Sequence, residues 1–500
     1  MAVPATQREV AAFLRGLSGA DPIETHISLV YRGPDTVWKL KKDIRLPFLD
    51  FSTLEARHFF ARRELELNAP AAPGLYRDVA AVVRRADGYL AVDENPAPDA
   101  PVLDWVLRMA RVAEENFLDR VAAAGGLTPA LLDALGDAVA LYHQTLPPVA
   151  GRAPSAEMRA VLQGNATAAL TAGLPEARVR AWRVRAEEKR AALAPWLEAR
   201  GRQNFVRRAH GDLHLGNLCL WQGQVVPFDA LEFDEAMATI DLGYDFSFLL
   251  MDLDHRASRA AANRVMNRYV ARTGDAAFTR GLPLFLSLRA MIRAHVAARS
   301  GDAAASTAYL DAAEAYLRPA PVIVVAVGGL PGTGKTTLAR ALAPGLGRAP
   351  GALVLRSDEI RKRLHGVKPE ERLSPAAYQE GVSANVFSQL AEAAREAAAG
   401  GQSVVADATF LDPIHRQKIT RAAAAAGIKF CGIWLQAPLV ELEARIAARV
   451  GDASDATVSV LRAAAAHDPG AGTWHAVDAT DAAAALAQAE EAVRAALPAC

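Results

Sequence analysis

Cysteine, aromatics, an excess of either charge and long apolar runs are all scarce in this 500-residue chain. The three cysteines, Cys219, Cys431 and Cys500, are far apart and lack metal-ligand spacing. That excludes a disulfide framework and a cysteine-held zinc, and it suits a reducing cytosol. Aromatics make up 6% of residues and do not interleave with basic ones, which removes the stacking platform of a single-strand nucleic-acid binder. Lys plus Arg and Asp plus Glu both total 56, so no bulk field draws the chain to polyanions. No run approaches the roughly 18 apolar residues of a membrane-spanning helix. Arg8 and Glu9 stand where a signal peptide needs its apolar core. No repeat of fixed period occurs. The expectation is a cytoplasmic protein without a membrane partner, long enough for about two to four domains.

What is present is organised around Val322-Ile-Val-Val-Ala-Val-Gly-Gly-Leu-Pro-Gly-Thr-Gly-Lys-Thr-Thr337. The β-branched run predicts a buried parallel strand. Gly329, Leu330, Pro331, Gly332, Thr333, Gly334, Lys335 and Thr336 then satisfy G-x-x-x-x-G-K-[ST], and a helical run opens at Thr337. Strand, glycine loop and helix start together make a phosphate site, because bare backbone amides and a helix N-terminus can face the charge. Lys335 is expected to reach the β and γ phosphates of ATP or GTP, and the Thr336 hydroxyl to bind magnesium.

Ahead of this loop, hydrophobic spacing predicts a short helix over 7–17 and a hairpin of 27–32 and 36–41. A helix over 52–68 follows, with Ser52-Thr-Leu-Glu55 as a capping box. Strands near 80–84 and 89–92 lead into the polar, Pro-rich stretch 93–101, read as a hinge. Helices are expected over 104–123, 128–145, 155–173, 175–199, 241–252, 256–273 and 281–317, interrupted by a strand–loop–strand segment at 208–229. Pro319-Ala-Pro321 sets the expected boundary between residues 1–318, with a small sheet lobe at 20–100 and a helical lobe at 101–318, and residues 319–500. The second part alternates strands at 352–357, 403–406 and 430–435 with helices at 376–399, 439–449 and 478–497, the pattern of a three-layer α/β fold with a parallel sheet.

Asp358 and Asp407 follow apolar strands, so both should reach the ligand crevice. Asp358, three residues before Arg361, is placed to accept the proton of an acceptor hydroxyl; Asp407 is placed to hold magnesium. Arg445 and Arg449 stand four apart before Gly451-Asp-Ala-Ser-Asp455, and as lid cations would stabilise charge on the transferring phosphoryl. These segments, with His415-Arg416, resemble the P-loop kinases related to polynucleotide 5′-hydroxyl kinase, gluconate kinase and zeta-type toxins. The resemblance covers about 320–498. It implies that Asp358 is the base and that the lid arginines contact phosphate.

His210-Gly-Asp-Leu-His-Leu-Gly-Asn217 has H-x-D-x-x-x-x-N spacing. Asp212 on such a loop can take a hydroxyl proton, while Asn217 and Asp229, on the next hairpin, can hold magnesium. This region, over about 20–317, resembles the aminoglycoside phosphotransferase family, a branch of the eukaryotic-type kinase fold. The resemblance implies a bilobal α+β domain, a phosphate-binding lysine at Lys39 or Lys41, and Glu64 as its helix partner, with Glu55 second. It also implies a structural role for Asp241. The chain lacks G-x-G-x-x-G, and its metal strand reads Phe228-Asp-Ala230. Glu232, Asp234 and Glu235 are candidate carboxylates for a cationic acceptor. The whole layout resembles bacterial fusions of the two families.

The reading is an ATP- and Mg2+-dependent phosphotransferase with two nucleotide sites, acting on hydroxyl groups of small molecules. One alternative is a nucleotide-dependent regulatory ATPase with a non-catalytic kinase-like half. The other is a nucleic-acid 5′-hydroxyl kinase, which Arg361-Lys-Arg363 admits for the C-terminal half and the neutral charge disfavours.

Overall fold

The computed structural model describes residues 3–46, 49–448, 454–466 and 473–497. Its chain forms two compact units built of interleaved segments: 1–127, 141–154 and 198–249 in one, and 128–140, 155–197 and 250–500 in the other.

The first unit carries a six-stranded antiparallel sheet in the order Ile23–Glu24, Ser28–Arg32, Thr36–Lys41, Val102–Ala110, Tyr76–Arg84, Leu90–Asp93. Leu29, Tyr31, Leu40, Ala80, Val82 and Val106 bury one face against Val10 and Leu14 of the helix Arg8–Ser18. The other face packs on the helix Leu54–Asn68 through Ala61, Tyr76, Val79 and Leu107. Its N-cap is Thr53, whose side chain accepts from the Ala56 amide, while Ser52 bonds Asp50; the capping box expected at Ser52 gives way to a simple cap one residue on, because Ala56 has no polar side chain to return the bond. Two hairpin strands, Leu218–Trp221 and Gln224–Pro227, carry the loops of the site.

The expected helix over 104–123 is a correction. Val102–Ala110 is a central strand, followed only by a short turn and the helix Leu118–Ala123. Val102, Leu103, Trp105, Val106 and Leu107 form a nearly continuous apolar run, which periodicity alone cannot assign, and pairing on both edges decides for a strand. The stretch 93–101 accordingly joins two strands of one sheet, which continues to residue 110.

In the second unit, five parallel strands run in the order Leu353–Arg356, Val404–Asp407, Ile323–Gly329, Lys429–Gln436, His475–Asp478. Ile323, Val325 and Val327 pack with Leu338 and Leu342 of the P-loop helix Lys335–Leu342 and with Ala485 and Ala489 of Ala482–Ala496. Strand alternation turns Val324 and Ala326 to the opposite face, where Glu380–Ala399 and Pro413–Ala425 pack. This is the α/β fold that the alternation predicts. The fifth strand, His475–Asp478, escapes prediction because it is short and mostly exposed. The single helix expected over 281–317 is two, Leu282–Arg299 and Ala303–Tyr316. Gly301, at φ 80°, breaks it, and the Asp302 side chain restarts it by accepting from Ala305 N.

Candidate active sites

In the second unit, Ile323–Gly329 delivers the glycine loop to the carboxyl edge of the sheet. Gly329, Gly332 and Gly334 have φ of 141°, 88° and 83°. A Cβ on Gly332 would lie 2.9 Å from the Leu442 carbonyl, so the loop needs both the left-handed backbone and the missing side chain. Thr333 Oγ1 and Lys335 Nζ both donate to Leu330 O, each at 2.9 Å, which draws Leu330, Pro331 and Thr333 into a closed loop ahead of Lys335, Thr336 and Thr337.

Parallel register sets Asp407 opposite both Val327 and Arg356. There Thr336 Oγ1 donates to Asp407 Oδ2 at 2.6 Å, and Arg356 Nε donates to the same oxygen at 3.2 Å. Arg356 also reaches Glu359 at 3.0 Å. Asp358 is half-buried on the first turn of Ser357–Leu364. Burial pushes its carboxyl above the usual range; Arg356 pulls it down, nearby Asp407 adds to the rise, and Lys335 and Arg361 oppose it. Arg361 donates to Ala377 O at 2.6 Å and Ser383 Oγ at 3.2 Å, with its guanidinium 4.7 Å from the Tyr378 ring centre.

Arg445 is turned to carbonyls, donating to Ala479 O at 2.9 Å and Thr480 O at 3.0 Å, and it also meets Glu441. Arg449 and Asp452 lie outside the described residues. Asp455 accepts from Lys362 Nζ at 2.9 Å, Leu373 N at 3.0 Å and Tyr378 OH at 2.6 Å. The run Arg361-Lys-Arg363 is therefore not a solvated basic patch: Lys362 is fully buried and Arg361 nearly so.

In the first unit, alternation along Thr36–Lys41 turns Lys39 and Lys41 to one side, where both meet Glu64. Lys39 Nζ lies 2.7 Å from Glu64 Oε1 and 2.5 Å from Asp229 Oδ1. Lys41 Nζ lies 2.9 Å from Glu64 Oε2 and also bonds Glu232. Lys39 alone of the two touches Asp229. Glu64 is wholly buried, whereas Glu55 is exposed on the first helical turn. Although burial acts against the charge, Lys39 and Lys41 hold the Glu64 carboxyl below its ordinary range. Burial pushes the Glu232 carboxyl up, and Lys41 opposes that rise.

Asp229 has φ 61°, a strained value for a non-glycine residue, and two groups hold it there. Asp229 N donates to Tyr76 OH at 2.9 Å, and Ala230 N donates to Asn68 Oδ1 at 2.8 Å. Asn217 Nδ2 donates to the Asp212 carbonyl at 2.9 Å and to its carboxylate at 3.0 Å. His210 Nε2 bonds Phe228 O at 2.9 Å, joining the two loops, and burial holds its imidazole below the usual range.

Sequence reasoning missed Tyr76, Asn68 and Asp245. Asp245 accepts from Gly211 N at 2.8 Å and His210 N at 3.2 Å, and it meets His143 at 3.1 Å. Asp241, expected in a structural role, is buried and forms a two-pronged pair with Arg200 at 2.6 and 3.0 Å. The three candidate carboxylates for a cationic acceptor are engaged elsewhere. Glu232 is on Lys41, Asp234 caps the turn Glu235–Ala238, and Glu235 pairs with Arg63 and Arg208.

The family model described as "AAA domain" matches residues 324–467. An uncharacterized protein of Mycobacterium tuberculosis is 28% identical over 481 residues, covering 92% of both chains, and one of Mycobacterium bovis matches equally. Among solved structures, a gluconokinase from Sinorhizobium meliloti is 24% identical, covering 36% of this chain and 95% of its own, with a TM-score of 0.25. A choline/ethanolamine kinase family protein from Mesorhizobium loti is 15% identical, covering 63% and 99%, with a TM-score of 0.36. The domain-model match thus falls on the half that carries the P-loop, while in the N-terminal half Lys39, Glu64 and Asp229 meet in one cluster.

Proposed function

We propose that the chain is an ATP- and Mg2+-dependent phosphotransferase with two nucleotide sites, one in residues 1–318 and one in 319–500, each acting on a hydroxyl of a small molecule. The observation that carries the reading is the meeting of Thr336 Oγ1 and Asp407 at the mouth of a complete P-loop, with the half-buried Asp358 on the adjoining helix.

Among the described residues, no group of three or more His, Cys, Asp or Glu side chains could hold a metal ion alone. Mg2+ takes one or two protein oxygens and completes its shell with phosphate and water. Thr336 and Asp407 would hold it in one half, Asn217 and Asp229 in the other. When bound, the ion supplies charge neutralisation between the phosphates.

The chain's own groups do the rest. Lys335 exchanges the Leu330 carbonyl for phosphate oxygens, and Lys39 offers its ammonium in the first unit. Asp358 or Asp212 accepts the acceptor hydroxyl's proton while a new O–P bond forms and the bond to the departing ADP breaks. A raised carboxyl at Asp358 makes it a better proton acceptor. The Arg445 hydrogen bonds to Ala479 and Thr480 favour a bracing role over phosphate contact, so phosphate charge would fall to Lys335 and the loop amides.

Burial of Lys362 and Arg361 speaks against a strand-tracking surface and so against the nucleic-acid end kinase. No described helix is long and apolar enough to cross a membrane, and the described cysteines, Cys219 and Cys431, are free thiols. The test is transfer from γ-labelled ATP to a pool of small hydroxyl compounds by wild type, Asp212→Asn and Lys335→Ala. Product lost in one variant assigns the acceptor to that half; phosphate release alone, in all three, would sink the proposal.

A further inference from the structure

The proposed transfer uses Lys39 and leaves Lys41 and Glu232 without a part, although both are almost completely buried. Burying a lysine and a glutamate is expensive, and an apolar pair of similar volume would serve stability as well. The geometry says what they touch. Glu64 gives one carboxylate oxygen to each lysine, Oε1 to Lys39 and Oε2 to Lys41. Lys41 then bonds Glu232, three residues beyond Asp229 on the same loop. Strand Thr36–Lys41, helix Leu54–Asn68 and the Asp229 loop are thereby tied by an alternating chain of charges, Asp229–Lys39–Glu64–Lys41–Glu232. Lys41 also lies 5.1 Å from the Phe51 ring centre, just ahead of the helix.

A lysine that meets phosphate must share its charge with that phosphate. Were Lys39 the sole partner of Glu64, this sharing would leave a wholly buried carboxylate undercompensated, and the helix carrying it would loosen. With Lys41 on the second oxygen, Glu64 keeps a full counter-charge whatever Lys39 does.

We infer that Lys41 and Glu232 are a positioning pair that holds Glu64, its helix and the Asp229 loop in their nucleotide-ready arrangement, freeing Lys39 to engage phosphate. The inference rests on the reading of the N-terminal half as a nucleotide site.

The test uses the full chain carrying Lys335→Ala, which silences the P-loop site, as the parent. Lys41→Met alone would strand Glu232 as an unpaired buried carboxylate, so the informative variant is the paired Lys41→Met/Glu232→Leu. Two quantities are read: the dissociation constant of a non-hydrolysable ATP analogue with Mg2+, and amide hydrogen exchange across residues 54–68. The expected result is binding weakened about tenfold and exchange quickened by a similar factor, with the melting midpoint near that of the parent. Unchanged affinity, with or without faster exchange, would make the pair a structural brace and overturn the inference. Weakened affinity with unchanged exchange would overturn it too, by locating the loss in local charge alone. Should the double variant not fold, Glu232→Gln is read by the same two measurements, with the same directions expected. Failure of the parent itself to bind the analogue would overturn the nucleotide-site reading, a result distinct from loss in the variant only.

Discussion

Val354, on the edge strand of the parallel sheet, donates its amide to Asn267 Oδ1 at 2.7 Å. Asn263 and Asn267 return the bond from their side-chain amides to Ala352 O, at 2.9 and 3.3 Å. An edge strand exposes unpaired backbone groups that invite pairing with another chain, and two asparagines of the helix Arg259–Thr273 satisfy these. The helix lies before the P-loop in sequence, so residues ahead of 319 complete the sheet that follows it.

Asn267→Ala should therefore lower stability by about 1–3 kcal/mol, the cost of leaving the Val354 amide buried and unpaired. A reduced urea midpoint would register it. The same strand ends on Arg356 and leads into Asp358, so phosphoryl transfer by the P-loop half should fall while analogue binding by the first unit is retained. An unchanged midpoint would mean that water replaces the asparagine at no cost.

Asp407 joins Thr336 and Arg356 through one carboxylate oxygen. Asp407→Asn keeps the shape but removes the charge, and Arg356 then faces a neutral amide. ATP turnover by the P-loop half should drop about a hundredfold or more, the scale for losing a preorganised electrostatic contact. Titration with Mg2+ should show a higher half-saturating concentration, and an unaltered Mg2+ dependence would remove Asp407 from the metal site.

The Asp245 carboxylate holds two successive amides of the Asp212 loop and meets His143. Asp245→Asn turns one acceptor into a donor facing those amides, so it should both destabilise the chain and cut transfer by the first unit. Asp241→Asn, which weakens the pair with Arg200 and the bond from Gly243 N, should cost stability with a smaller effect on transfer. Comparing the two variants at a temperature where both are folded separates the roles, and equal losses of transfer would deny Asp245 its special position.

That contrast marks how far the sequence could be read. The P-loop, the Asp212 loop and the hairpin leading to Asp229 are local patterns of a few adjacent positions, so their place in the fold was legible. Which of Lys39 and Lys41 meets Asp229 was not, because both share one face and the contact comes from a residue far along the chain. Asp241 and Asp245 stand four apart in one segment, and which one clamps the loop depends on a helix register that spacing leaves open. The strand Val102–Ala110 was misread since an apolar run between two partners carries no period of its own. Tyr76 and Asn68 act through side chains on elements far from the loop they hold, so no local motif could announce them.

His295 offers a test by pH. It is buried on the helix Leu282–Arg299, with Nδ1 among the buried atoms that have no hydrogen-bond partner. Burial, and secondarily the charge of Arg299, lowers its imidazole from 6.5 to about 4. Above both values the ring is neutral whether the chain is folded or not, so it contributes no pH dependence there. Between the two, the unfolded chain binds a proton that the folded chain refuses, and stability must fall as pH falls. Below the folded value both forms are protonated and the loss levels off, with a total of about 3 kcal/mol. His295→Leu removes the titrating group and keeps an apolar side chain in the buried position. Its urea midpoint should therefore decline less than that of wild type as the pH is taken from neutrality toward 4. Parallel declines would show that the folded chain protonates His295 as readily as the unfolded one does.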